Sequence, residues 1–103
     1  MVNIQTDEKN AGGVRLTFSG DLSVVEIGQI YEQLKTVKRD ASQYQVVVNK
    51  VENLDLSFFQ LLYAFLLEVK NDEIHLTWDL PDESKRIMSE SGLQSIFNQW
   101  TRN

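Results

Sequence analysis

A chain of 103 residues, 42% of them hydrophobic, suits one small domain, residues 1–103, built on a single core. It has no cysteine, which excludes disulfides, thiolate catalysis and cysteine-ligated metals. The net charge is −5 and no cluster of Lys and Arg is visible, so partners held by clustered cations, nucleic acid and anionic membrane surfaces, are not expected.

In chain order, "VNIQT" alternates, with Val2 and Ile4 on one side. "VRLTFSG" alternates too, with Val14, Leu16 and Phe18 on one side and Arg15, Thr17 and Ser19 on the other. Between them "DEKNAGG" has the composition of a turn, so the two segments predict an antiparallel hairpin. "VVEIGQIYEQLKTVK" has helical spacing, with Val24, Ile27, Ile30, Tyr31, Leu34 and Val37 on one face. "YQVVVNKV" reads as a strand with Val46 and Val48 inward, and "FFQLLYAFLLEVK" as a second helix. "DEIHLTWDL" alternates again, Ile74, Leu76, Trp78 and Leu80 against His75, Thr77 and Asp79. "PDESKRIMSES" follows as a third helix, with Pro81 suited to its first turn and Gly92 to its end. "LQSIFNQW" places Leu93, Ile96, Phe97 and Trp100 on one face of a short fourth helix. No secretory leader is expected, because "MVNIQTDEKN" lacks a basic start followed by an apolar stretch. The longest apolar run, residues 61–67, falls far short of the roughly 18 residues that span a bilayer, and a cytoplasmic protein is expected.

The order ββαβαβαα predicts an α/β fold: a four-stranded mixed sheet, an antiparallel hairpin plus a parallel βαβαβ unit, with about four helices. Strands covered on both faces would read as continuous apolar runs. These alternate, so the helices are expected on one face, leaving Asn3, Gln5, Arg15, Thr17, Asn49, His75 and Thr77 on an open polar face. Val2 and Ile4 then lie on an edge strand that offers a route to a homodimer.

The tripeptide "DLS" occurs twice, at residues 21–23 and 55–57, each time between a strand and a helix. Ser23 with Glu26 and Ser57 with Gln60 read as capping boxes. Asp21, Asp55 and Asp79 fall near the carboxyl ends of three strands, the edge of an open sheet where ligands bind. Acids also favour helix N-termini for electrostatic reasons, and that reading outweighs a Mg²⁺ site. The second helix is the outlier: at about 100° per residue its apolar positions sweep roughly two-thirds of the circumference. Phe58, Leu62, Phe65 and Val69 form its core side and Phe59, Tyr63 and Leu67 a separate flank, covered either by neighbouring helices or by a partner protein.

The hairpin, "GDLSVVEIGQI", "VVVNKVENLDLS" with its following "FFQLL", and "SGLQSIF" near the end together resemble the STAS domain, the fold of the bacterial anti-sigma factor antagonists. In that family the serine opening the second helix is phosphorylated by a kinase that is itself the anti-sigma factor, and the unphosphorylated form binds the kinase and releases the sigma factor. The resemblance implies Ser57 as phosphoacceptor and a partner-binding surface of Gly20, Asp21, Asp55, Leu56, Phe58, Phe59, Tyr63 and Leu67. The sequence departs from regulated members in having Leu56 before the serine and Phe58-Phe59 after it. "QLL" resembles a subgroup linked to chemotaxis or other signalling operons.

These readings lead to a non-enzymatic signalling module whose partner is a protein of the serine kinase/anti-sigma type, with no cofactor and no metal. The alternative is a STAS-like accessory subunit of a chemosensory or lipid-transport complex that is never phosphorylated. An enzyme is disfavoured: the single histidine, His75, sits mid-strand on the open face, the Gly12-Gly13 pair is no phosphate loop, and no nucleophile has a base beside it in sequence.

Overall fold

Period-two apolar spacing in four segments is realised as one four-stranded sheet in a computed structural model, which describes residues 2–8, 12–69 and 73–101. The strands are β1 (Val2–Glu8), β2 (Val14–Leu22), β3 (Tyr44–Leu54) and β4 (Ile74–Trp78), and the spatial order β1-β2-β3-β4 is the chain order. β1 and β2 pair antiparallel, whereas β2–β3 and β3–β4 pair parallel. This is the expected mixed sheet. The tip of the hairpin turn, residues 9–11, lies outside the described residues, as do Lys70 and Asp72, expected at the end of the second helix and the start of the fourth strand.

The register sorts the side chains. Leu16 pairs with Val46 and Val46 with Leu76, and Phe18 pairs with Val48 and Val48 with Trp78; all six side chains are buried. On the opposite face Gln5, Thr17, Val47 and Thr77 lie side by side, each exposed or half-buried. The helices cover the first face: α1 (Ile27–Lys35), α2 (Leu56–Val69), α3 (Asp82–Glu90) and α4 (Leu93–Phe97). Two strands run further than the alternation suggested. β2 continues to Leu22 and β3 to Leu54, because β3 accommodates extra residues against β2 between Val48 and Asn53. Gly20 at φ 83° and Lys50 at φ 49° take the left-handed conformations this irregular stretch requires.

The first helix is shorter than its periodicity implied. A 3₁₀ turn, Val24–Glu26, precedes it and buries none of its residues. That tighter turn rotates Val24 out of the stripe, and Tyr31 is also exposed; Ile30, Leu34 and Val37 are buried in the core, and half-buried Ile27 packs against it. The chain leaving α1 is tied to α2 by Arg39. Its guanidinium donates to Glu68 Oε2 at 3.0 and 3.2 Å and to the carbonyls of Leu34 and Val37, and it lies 4.9 Å from the Phe65 ring centroid.

The apolar excess of α2 is absorbed mostly inside the molecule. Phe58 packs edge-on against Phe18 (5.4 Å between centroids), and Phe59 is 0% exposed between Trp78 and Phe97. Tyr63 leans on Phe97 and Trp100, so α4 and the turn after it cover two of the three flank residues. Leu67 alone remains outside, 48% exposed. Past α4 the chain returns to the sheet: the Leu76 N–H donates to the Trp100 carbonyl (2.7 Å) and Thr101 bridges Leu76 in parallel fashion. Among the described residues no helix is long and apolar enough to cross a membrane.

Removing a ring from a filled core forfeits its transfer energy and leaves a cavity. Phe59→Ala is therefore expected to destabilise by about 3–5 kcal/mol, whereas Leu67→Ala stays within about 0.5 kcal/mol of the parent. Urea unfolding of the two variants checks this; equal losses would show that the flank is not divided between core and surface as described.

Candidate functional site

Both DLS turns use the same local chemistry, and the serine is not its centre. In the first, Asp21 Oδ1 accepts from the Ser23 N–H at 3.0 Å. In the second, Asp55 Oδ1 accepts from the Ser57 N–H at 3.1 Å and from the Ser57 hydroxyl. An aspartate that accepts from the amide two residues on closes the turn and satisfies an orphan donor at the helix start. α2 begins at Leu56, which makes Asp55 its N-cap and puts Ser57 one residue inside the helix. Ser23 precedes the 3₁₀ turn without a side-chain capping bond. In place of the expected serine capping boxes, Asp55 caps α2 and Asp21 closes the turn that leads into the 3₁₀ segment; the Asp55 carboxylate is an acceptor only, and the Ser57 hydroxyl is its donor.

Parallel pairing brings the turns together. Asp21 pairs with Asn53 and Leu22 with Leu54, so β2 and β3 end side by side. Asp55 then reaches across: its Oδ2 accepts from the Val24 N–H at 2.8 Å, a bond between residues 31 positions apart in sequence. One carboxylate holds its own turn with one oxygen and the neighbouring turn with the other.

Three apolar side chains project from this corner. Val25 is 81% exposed, Val24 61% and Leu56 39%, beside half-buried Asp21, Asp55 and Ser57. Val24 and Val25 are absent from the surface expected from sequence, although Val25 lies off the apolar stripe of the first helix. The resemblance put Phe58 and Phe59 on that surface, but both belong to the core: Phe58 as its place on the core side of α2 predicts, and Phe59 because β4 and α4 cover it. Their rings therefore do not crowd the Ser57 hydroxyl from the solvent side. Tyr63 is half-buried against α4, Leu67 lies near the far end of α2, and half-buried Gly20 shapes the β2 irregularity without offering a side chain.

The three strand-end acids are not gathered in one place. Asp55 lines a cleft of about 370 Å³ together with Ser23, Glu52, Asn53, Leu54, Pro81, Glu83 and Ser84, a lining with three carboxylates and no cation. Asp79 lines a different cleft, about 630 Å³, with Trp78, Leu80, Lys85, Arg86 and Met88 among its walls. Among the described residues no group of three or more His, Asp or Glu side chains is placed to hold a metal ion. His75 lies half-buried in β4, its Nε2 3.7 Å from Glu73 Oε2. The Ser23 hydroxyl, then the Ser23 N–H, hold the Asp21 carboxyl below the ordinary aspartate value of 3.8.

No protein-family model matches the chain, and none of the curated proteins does. Among solved structures it is similar to the anti-sigma factor antagonist SpoIIAA in its unphosphorylated form, with a TM-score of 0.58 and 16% identity over 98% of this chain and 88% of that one. The likeness shows a shared STAS-like fold: the mixed sheet with its helical layer.

Two outcomes follow from the turn chemistry. Asp55→Ala is expected to destabilise by about 1–2 kcal/mol as a lost N-cap, and Ser57→Ala, which removes only a donor, by less; thermal or denaturant unfolding ranks them, and the reverse order would restore the serine as the cap. Folding favours the charged form of Asp21, so its contribution is present above the ordinary aspartate range and is lost as pH falls through the lowered value. NMR titration should give Asp21 a midpoint below 3.8 that rises in Ser23→Ala.

Proposed function

We propose that this chain is a non-catalytic signalling module of the anti-sigma factor antagonist type. In this reading it docks on a serine kinase/anti-sigma-type protein through the corner where the two DLS turns meet. The observation that carries the reading is the juxtaposition itself: exposed Val24, Val25 and Leu56 stand at the corner where Asp55 holds both the Val24 N–H and a serine hydroxyl at a helix start, on a fold shared with an anti-sigma factor antagonist. Apolar side chains held outward beside acids suit a partner that offers an apolar pocket rimmed by cations, because a charged rim steers encounter while the buried centre supplies affinity.

Ser57 is the phosphoacceptor in this scheme. A phosphoryl group there adds a charge near −2 beside Asp55 and Asp21. The lining around Asp55 holds no cation to neutralise it, so modification opposes docking by charge and by desolvation. A cytoplasmic location accords with such a partner. Edge pairing through β1 is a separate route to a homodimer, because β1 lies at the sheet edge beyond β2.

Incubation with the candidate kinase and ATP, followed by intact mass and fragment mapping, should add one phosphoryl group at Ser57 and none in Ser57→Ala. A chain that stays unmodified loses the switch but keeps the docking surface. Val25→Asp tests that surface: it should weaken partner binding at least tenfold, measured by calorimetry, while leaving the unfolding midpoint nearly unchanged, since an exposed valine contributes little to the fold. Undiminished binding by Val25→Asp would place the interface elsewhere.

A further inference from the structure

The 3₁₀ turn at Val24–Glu26 buries none of its residues, so apolar packing does not fix its position. Within the turn, the Glu26 N–H donates to the Ser23 carbonyl at 3.0 Å, and the Asp21 carboxylate accepts from Ser23 just before it; both are local. The tie across to the neighbouring turn is the 2.8 Å bond from the Val24 N–H to Asp55 Oδ2. The other oxygen of the same carboxylate receives the Ser57 hydroxyl.

We propose that Asp55 transmits the state of the Ser57 hydroxyl to the Val24–Val25 turn, so that modification of the serine moves exposed valines 31 or more residues away in sequence. The inference rests on the reading of Ser57 as phosphoacceptor. On phosphorylation the Ser57 O–H bond breaks and its proton leaves to solvent; Oγ gains a bond to the terminal phosphorus of a nucleoside triphosphate, and the diphosphate departs. Oγ can then no longer donate to Asp55. The phosphate at the start of α2 instead competes with Asp55 Oδ1 as acceptor for the Ser57 N–H. A dianion at hydrogen-bonding range also repels the Asp55 carboxylate, and a half-buried site screens this less than open water does. Asp55 must turn away, and because its two oxygens move together, Oδ2 leaves the Val24 N–H. The first turn then keeps its local bonds and its anchors at Leu22 and Ile27 but loses its tie to the second turn, and the docking surface loses its arrangement as well as its charge balance.

Amide hydrogen exchange by NMR on the full chain tests this, with phosphoserine incorporated at position 57 during translation. Losing a bond to a charged acceptor should speed exchange of the Val24 amide about tenfold or more and shift the resonances of Ser23 to Glu26, while the core amides of β3 keep their protection. Asp55→Asn, which lacks the second acceptor oxygen, should release Val24 in the unmodified chain, and Ser57→Ala should not. Core amides report whether each variant is folded, and the phosphoserine chain tests the proposal if Asp55→Asn is not. An unchanged Val24 amide in the phosphoserine protein overturns the coupling. No kinase enters this measurement, so its failure is distinct from a failure of Ser57 to be phosphorylated.

Discussion

The chain must place nearly all its apolar surface on one side of a four-stranded sheet, and α2 bears the consequence. A helix lying on a single sheet ordinarily leaves half its circumference to water. α2 buries six of its residues because α1 and α4 close on it from the sides while the sheet lies beneath. The aromatic contacts among Phe59, Trp78, Phe97 and Trp100 join the sheet, the central helix and the last helix into one cluster. With α2 fixed in this way, the residue that caps it, Asp55, has a defined position at the end of β3. The meeting of the two turns follows from that.

Much of this is legible in the sequence, for specific reasons. Alternation in "VRLTFSG" and "IHLTW" marks both the strands and their buried face, and the lack of continuous apolar runs indicates a sheet covered on one side only. Less accessible is the choice between two adjacent polar groups. In D-x-S either side chain can satisfy the helix start, and the outcome depends on whether the helix begins at the residue after the aspartate or after the serine. The structure starts α2 at Leu56, which makes the aspartate the acceptor. A 3.6-residue period puts Val24 on the helical stripe, whereas the segment winds as 3₁₀.

The candidate site combines two classes of residue with opposite requirements. Val24, Val25 and Leu56 stand largely outside the core, whereas Asp21, Asp55 and Gly20 hold the backbone that presents them. Exposed apolar side chains on a turn that packs nothing are held out of the core by hydrogen bonds, and a composition-based reading has no signal for that. The relevant pattern is a pair of valines immediately after a polar turn, one of which cannot share the helix's buried face.

The return of the chain at Trp100–Thr101 has a consequence for assembly. A sheet with two free edges can add neighbours without limit, which is how strands grow into filaments. Here the outer side of β4 is occupied at Leu76 by the chain's own last described residues, while β1 runs from Val2 to Glu8 with neither proline nor lysine to blunt it. Among the described residues one edge is stoppered and one is open. A copy that paired along β1 would therefore find no second open edge at Leu76 from which the next copy could continue.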